Sequence, residues 1–274
     1  MSKRTRVDVQ SNCQKLIGAV PMPENVYDEP QELLRFVSEE HHNFLISIAN
    51  ERDELKSVNH LQGLYQAALT HVKLTDKTDL IVYQLLGFTH YHFLFATACQ
   101  LRGHLSEAFA SLRSAIDAAL IAAYIIKDRF LQEAYFRRRK PFDKLIRHAR
   151  NFIDRKRLGE LPHRQIPFLI EMHDTCSRFA SHADVDTFVH RAREFRDEQG
   201  VEWATTEYFQ FSRYPRTQRY YFFSLMHGFA SILDIFDSFL IDEQKKVDEQ
   251  WRTELHGAIA SIEKVREATQ PSET

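Results

Sequence analysis

Two residues near position 180 have side chains suited to acid–base chemistry without a metal. Arg178 and His182 stand four residues apart, which on a helix places them on one polar face with Glu171, Asp174 and Thr175. A histidine exchanges protons near neutral pH and an arginine holds a phosphate or a developing oxyanion, so the pair can cleave RNA. A structural alternative pairs Arg178 with Asp174 and leaves His182 at a helix end.

Positive charge is concentrated between residues 137 and 157. Ten basic and two acidic residues give this segment a charge of +8. The whole chain has a net charge of −2, so the rest of the chain has a net charge of −10. A helix there would present a broad basic face of the kind that tracks phosphates, although such a face can also pair with acidic helices of the same chain. The residues predicted to bind nucleic acid are Arg137, Arg138, Arg139, Lys144, Arg147 and Arg150.

Two further patterns have weaker chemical meaning. His182, Asp186 and His190 repeat every four residues and have metal-ligand side chains, but Asp186 also fits an N-cap that would separate the two histidines, so no metal or other cofactor is predicted. A polar stripe follows one face of a later apolar helix, and we expect it to be exposed to solvent rather than to line a pocket. Its members are Ser224, His227, Ser231, Asp234 and Ser238.

Basic and aromatic residues alternate just before that stripe. The segment can stack on a nucleotide and clamp it, or it can cover the end of a helical bundle with its long side chains. Its members are Arg213, Tyr214, Arg216, Arg219, Tyr220 and Tyr221.

Hydrophobic spacing predicts that helices position these residues. Apolar residues recur at intervals of three and four, most regularly around Leu112 and Ile116, while Arg113 and Asp117 have the spacing of a local ion pair. We predict an all-α bundle of about eight to ten helices, with at most one small β-hairpin near 201–212. The predicted helices cover residues 30–55, 58–72, 79–102, 105–123, 142–157, 166–181, 184–197, 215–242 and 243–268.

Composition excludes several classes of protein. The chain has 274 residues with eight Gly and eight Pro, and its widely spaced glycines form neither a phosphate-binding loop nor a nucleophile elbow. Three cysteines without paired spacing argue against a disulfide framework, which fits the cytoplasm. The two most apolar stretches, 115–126 and 220–241, contain charged residues, so we predict buried helices and no membrane association. We predict an N-terminal arm over 1–27 and one helical domain over 28–270, with a subdomain hinge near 158–167.

Two segments of the chain resemble bacterial helical proteins of the HEPN grouping, including abortive-infection types. They are Gly103–Asp117, which contains Gly-His-Leu-Ser-Glu-Ala and Leu-Arg-Ser-Ala-Ile-Asp, and Cys176–His182, which reads Cys-Ser-Arg-Phe-Ala-Ser-His. The resemblance implies a helical bundle that often dimerises and a metal-independent ribonuclease with Arg178 and His182 as catalytic residues. Phe179 stands where the active members have a polar residue.

These observations predict a binding or scaffold protein, homodimeric, whose basic segment contacts a polyanion such as RNA. The alternative is an HEPN-like ribonuclease that acts through Arg178 and His182.

Overall fold

The structure is a computed structural model. It describes residues 31–71, 79–126, 132–133, 161–180, 192–196, 200, 202–206, 209, 215–240 and 248–271. Its helices are α1 (Gln31–Asn50), α2 (Arg52–His71), α3 (Asp79–Arg102), α4 (Leu105–Ile125), α5 (Ile166–Ala180), α6 (Pro215–Ile235), α7 (Asp237–Leu240) and α8 (Glu249–Thr269). Strands β1 (Ala192–Arg196) and β2 (Glu202–Thr206) pair antiparallel, with Phe195 opposite Trp203.

The chain divides into two compact units, residues 1–42 and 43–274. Within the described part of the first unit, Arg35 and Glu39 form an exposed ion pair on α1, with Nε and Oε1 2.9 Å apart. The second unit contains the helical bundle. The predicted arm over 1–27 and the predicted helix over 142–157 lie outside the described residues.

The predicted all-α bundle is confirmed, with differences at particular elements. The described residues contain seven helices of fifteen residues or more, slightly fewer than the eight to ten predicted, in addition to the four-residue α7. The helix predicted over 184–197 is wrong in its second half, where residues 192–196 form β1 because a second extended segment supplies backbone hydrogen-bond partners. The helix predicted from 243 begins at Glu249, because the Asp248 side chain accepts a hydrogen bond from the Trp251 backbone N–H at 3.0 Å and caps it.

Predicted and observed bounds agree at α3. The helix ends at Arg102 because Gly103 adopts a left-handed φ of 87°, which only glycine adopts readily. The His104 N–H then bonds to the Cys99 carbonyl at 2.8 Å. The chain therefore reverses direction within two residues, and α4 returns along α3.

Helix α4 is the centre of the bundle, packed against α3, α5 and α6. Leu112 and Ile116 are fully buried, as the apolar spacing predicted. The helix is long and apolar enough to cross a bilayer, but 61% of its most apolar window is buried inside the fold. Its composition is that of a core helix.

Helix α6 approaches α4 closely because residue 228 has no side chain. A Cβ atom at Gly228 would lie 2.9 Å from both terminal methyl carbons of Leu112. Two buried hydrogen bonds hold the neighbouring helices: the Tyr65 hydroxyl donates to the Phe229 carbonyl at 2.9 Å, and the Trp251 indole N–H donates to the Leu64 carbonyl at 3.0 Å. These contacts connect α2, α6 and α8 to the same core.

A buried carboxylate fixes the start of α5 against α6 and α8. One oxygen of Asp234 accepts hydrogen bonds from Arg164 at 3.0 Å and Gln165 at 3.1 Å, and the other lies 3.1 Å from His256 Nε2. Burial alone raises the pKa of Asp234, but the two hydrogen bonds and the guanidinium charge outweigh it and hold that pKa below its usual value. The network therefore positions α5 relative to α6 and α8.

We predict that Leu112→Ala lowers the free energy of unfolding by about 2–5 kcal/mol, because it leaves a cavity at the centre of the core. Gly228→Ala alone should also destabilise, since the new methyl group collides with Leu112. In the Leu112→Ala background the same change should stabilise, because space is available and alanine favours a helix. Denaturant unfolding of the four proteins measures this coupling. Additive effects of the two substitutions would contradict the close approach.

We predict that Asp234→Asn lowers the free energy of unfolding at pH 7 by about 1–3 kcal/mol, because the Arg164 guanidinium loses a charged acceptor. The folded carboxyl has the lower pKa, so its contribution is present above the unfolded value of about 4 and is lost as the pH falls further. Denaturant unfolding of wild type and variant from pH 7 to pH 3 measures this contribution. The control is Asp53→Asn, which removes an exposed ion pair with Lys56 and should change stability little. A difference between wild type and Asp234→Asn that is independent of pH would contradict the assignment.

Candidate functional site

A cavity lies among helices α4, α5, α6 and α8. Its empty volume is about 410 Å³, part of it open to solvent. Five aromatic rings line it: Phe109, Phe168, Phe179, Tyr220 and Tyr221. Its other lining residues are Glu171, Met172, Thr175, Ser224 and Arg266.

Helical spacing brings these side chains together. Residues 168, 171, 172, 175 and 179 follow the three- and four-residue rule along one face of α5, and residues 220, 221 and 224 do so on α6. Phe109 and Phe179 stack with centroids 4.5 Å apart and an interplanar angle of 14°, while Tyr221 meets Phe109 edge-on at 90°. Each ring therefore restricts its neighbours, and the aromatic wall is preorganised.

A guanidinium group at the cavity has an unused donor. The Arg266 carbon Cζ lies 5.3 Å from the centroid of the Phe168 ring, which holds the group in a cation–π contact. Its Nε atom is buried and has no hydrogen-bond partner in the part of the chain that the structure describes. A buried donor without an acceptor is costly, so this atom favours a ligand that supplies one.

A histidine behind Phe168 is neutral at physiological pH. The His227 ring lies 4.2 Å from the Phe168 ring, and burial together with the nearby Arg266 charge lowers the pKa of His227 to about 4. Its Nδ1 atom also has no hydrogen-bond partner among the described residues. The positive charge at this end of the cavity therefore comes from Arg266.

Two hydroxyl groups and one carboxylate on α5 and α6 line the cavity and can accept hydrogen bonds. The Thr175 hydroxyl donates to the Glu171 carbonyl at 3.2 Å, and the Ser224 hydroxyl donates to the Tyr220 carbonyl at 2.8 Å, so both hydroxyls use their hydrogens within their own helices. The Glu171 carboxylate has no ion pair or hydrogen bond to any residue that the structure describes. Glu171 and Arg266 thus line one cavity with opposite charges and are not bonded to each other.

The structure divides the predicted basic and aromatic segment between two surroundings. Tyr220 and Tyr221 line the cavity, and the Arg216 guanidinium donates to the Ala268 carbonyl at 3.1 Å, two residues beyond Arg266. Arg219 instead pairs with Glu54 at 2.8 Å. The segment therefore supplies two rings to the cavity and two guanidinium groups to contacts within the bundle, and nucleotide stacking stays a prediction; Arg213 and Tyr214 lie outside the described residues.

The predicted catalytic pair is only partly described. Arg178 lies exposed on α5, directly before the cavity-lining Phe179. His182 lies outside the described residues, together with Asp186 and His190 of the metal-like repeat. The basic segment with Arg137, Arg138, Arg139, Lys144, Arg147 and Arg150 lies outside them as well.

Two sequence-based predictions about polar residues are wrong. Asp117 bonds to His173 on α5, with Oδ1 and Nε2 3.2 Å apart, because α5 brings that ring nearer than the expected partner Arg113. The stripe expected to face solvent is buried: the exposed fractions of Ser224, His227, Ser231 and Asp234 are 4%, 3%, 0% and 2%. The reason is that α6 has other helices on several sides, so its polar face also lies in the interior.

Sequence reasoning missed Arg266 and Glu51. Arg266 continues the buried α8 stripe of Leu255, Ile259 and Ile262 at intervals of four, three and four, and a charged residue on an apolar stripe was the available signal. Burial, with repulsion from Glu54, raises the pKa of Glu51 to about 7, and nothing local in the sequence indicates that burial.

No group of three His, Cys, Asp or Glu side chains in the described ranges could hold a metal ion. Comparison with known proteins finds no match for this chain among protein-family models, curated proteins or solved structures. What the chain binds is therefore inferred from the geometry of the cavity.

Proposed function

We propose that this protein is a helical binding protein for a single-stranded polyanion such as RNA, and that one base of the strand enters the aromatic cavity. The observation that carries the proposal is the combination of five aromatic rings with a buried, unsatisfied guanidinium donor. The rings provide stacking surfaces, and Arg266 provides a donor for an oxygen or ring nitrogen of the nucleotide.

The energetics of stacking support this choice of ligand. A base stacked on an aromatic side chain contributes about 1–3 kcal/mol, irrespective of sequence, because every base has a π face. Phe109 is buried, whereas the other four rings are partly exposed, so Tyr220 is one of the rings with free surface for a ligand.

The basic segment would hold the phosphates on either side of the bound base. Phosphate contacts need positive charge and have little other sequence signature, so Arg147 and Arg150 are suitable representatives. The basic segment would then position the strand through its phosphates, and the cavity would recognise one base. The homodimer, the cytoplasmic location and the absence of membrane association stay predictions.

The alternative function is a metal-independent ribonuclease acting through Arg178 and His182. The exposed side chain of Arg178 on α5, one residue before the cavity wall, favours this alternative. A strand bound in the cavity would pass near this arginine. The ribonuclease would then use the same binding site and add an acid–base step.

We predict that affinity for a labelled single-stranded oligoribonucleotide falls steeply with salt, because binding releases counterions from the phosphates. Tyr220→Leu should weaken binding by about 5- to 100-fold through the lost stack, whereas the exposed Tyr91→Leu on α3 should not. Reversal of Arg147 and Arg150 to Glu should abolish binding without unfolding the chain. Fluorescence anisotropy across a salt series measures all three. Salt-independent affinity, or equal losses from the two tyrosine variants, would refute the proposal.

We predict a clear outcome for the ribonuclease alternative. If it is correct, His182→Ala removes RNA cleavage, leaves the melting temperature nearly unchanged and leaves RNA affinity intact, because the imidazole acts in the transition state. Cleavage should persist with a chelator present. If purified wild-type protein binds RNA without cleaving it, the ribonuclease alternative is wrong and the binding function stands.

A further inference from the structure

Two side chains of opposite charge line the cavity. Glu171 on α5 and Arg266 on α8 line the same aromatic space, and no salt bridge joins them in the described structure. Arg266 is held over Phe168, which limits its freedom to swing toward the carboxylate. A ligand in the cavity would meet two acceptor oxygens from Glu171 and a donor from Arg266 that the ring contact holds in place.

We propose that the cavity selects guanine, an inference that rests on the proposed binding of a single-stranded RNA base. Guanine has two parallel N–H donors on its Watson–Crick edge, at N1 and N2, which match the two oxygens of the Glu171 carboxylate. Its O6 and N7 are adjacent acceptors that arginine binds more often than any other base edge. One base therefore satisfies both charged groups while its ring remains in the aromatic wall.

The other three bases fit the same groups poorly. Adenine and cytosine each have one exocyclic amino group beside a ring-nitrogen acceptor, which would repel the second carboxylate oxygen. Uracil has one N–H donor between two carbonyl oxygens, and these would face the carboxylate on both sides. These bases would leave polar groups of the site without hydrogen-bond partners. Such a loss weakens binding more than the loss of an apolar contact.

The test uses the full-length protein and four oligouridylates that differ at one central base: guanosine, inosine, adenosine or uridine. The guanosine oligonucleotide should bind at least about tenfold more tightly than the adenosine and uridine ones. Inosine, which lacks only the N2 amino group, should lose most of that preference, because one carboxylate oxygen is left without a donor. Fluorescence anisotropy measures each dissociation constant.

Two carboxylate variants of α5 make the test specific. Glu171→Gln should bring the ratio of the guanosine and adenosine dissociation constants close to one, because the amide presents only one acceptor oxygen to the two guanine donors. Asp174→Asn, which neutralises a carboxylate of the same helix that does not line the cavity, should leave the preference intact. Glu171 is exposed and Asp174 is partly exposed, and melting temperatures verify that both variants fold.

The outcomes separate the two levels of the proposal. Equal binding of the four oligonucleotides, with the Tyr220→Leu loss retained, would overturn guanine selection and leave RNA binding in place. A guanosine preference that persists in Glu171→Gln would also overturn the assignment of the carboxylate. Absence of binding to any of the four strands would overturn RNA binding and the guanine inference together.

Discussion

The close contact between α4 and α6 is the constraint on which the rest of the bundle depends. Gly228 lets the backbone of α6 approach Leu112, and a single methyl group there would collide with it. Protein interiors are packed as densely as organic crystals, so this approach also determines where α5 and α8 can lie beside α6. Those two helices contribute the Phe168 and Arg266 walls of the cavity, whose position therefore follows from a packing requirement at another point of the core.

The polar groups buried around α6 fall into two contrasting sets. Asp234 is fully partnered by Arg164, Gln165 and His256, and this set holds elements together. Toward the other end of the helix, His227 and the nearby Arg266 each have a buried nitrogen without a partner in the described chain. Buried polar atoms without a partner are uncommon in folded proteins, and these two lie beside an aromatic cavity. The first set is a structural network, and the second belongs to the site that we propose binds a ligand.

RNA binding and RNA cleavage would make different demands on this architecture. Binding needs aromatic surface, positive charge and groups for directed hydrogen bonds, and the described cavity has five aromatic rings, the Arg266 guanidinium and the Glu171 carboxylate. Cleavage needs in addition a proton-transfer group within reach of the scissile phosphate. Arg178 lies on the same helix as the Glu171 side of the cavity, so binding and chemistry would use one face of α5.

The sequence alone determined the all-helical class, the exact bounds of α3 and the buried centre of α4. These depend on local features: the interval between apolar residues, a glycine after a helix, and the scarcity of Gly and Pro. It also marked Tyr220 and Tyr221 as residues that can stack on a base. The tertiary structure alone decided that the α6 polar stripe is buried, that Asp117 bonds to His173, and that Arg266 shares a cavity with Glu171. The physical reason is that periodicity shows which face of a helix is polar, whereas the helices packed around it decide whether that face meets water.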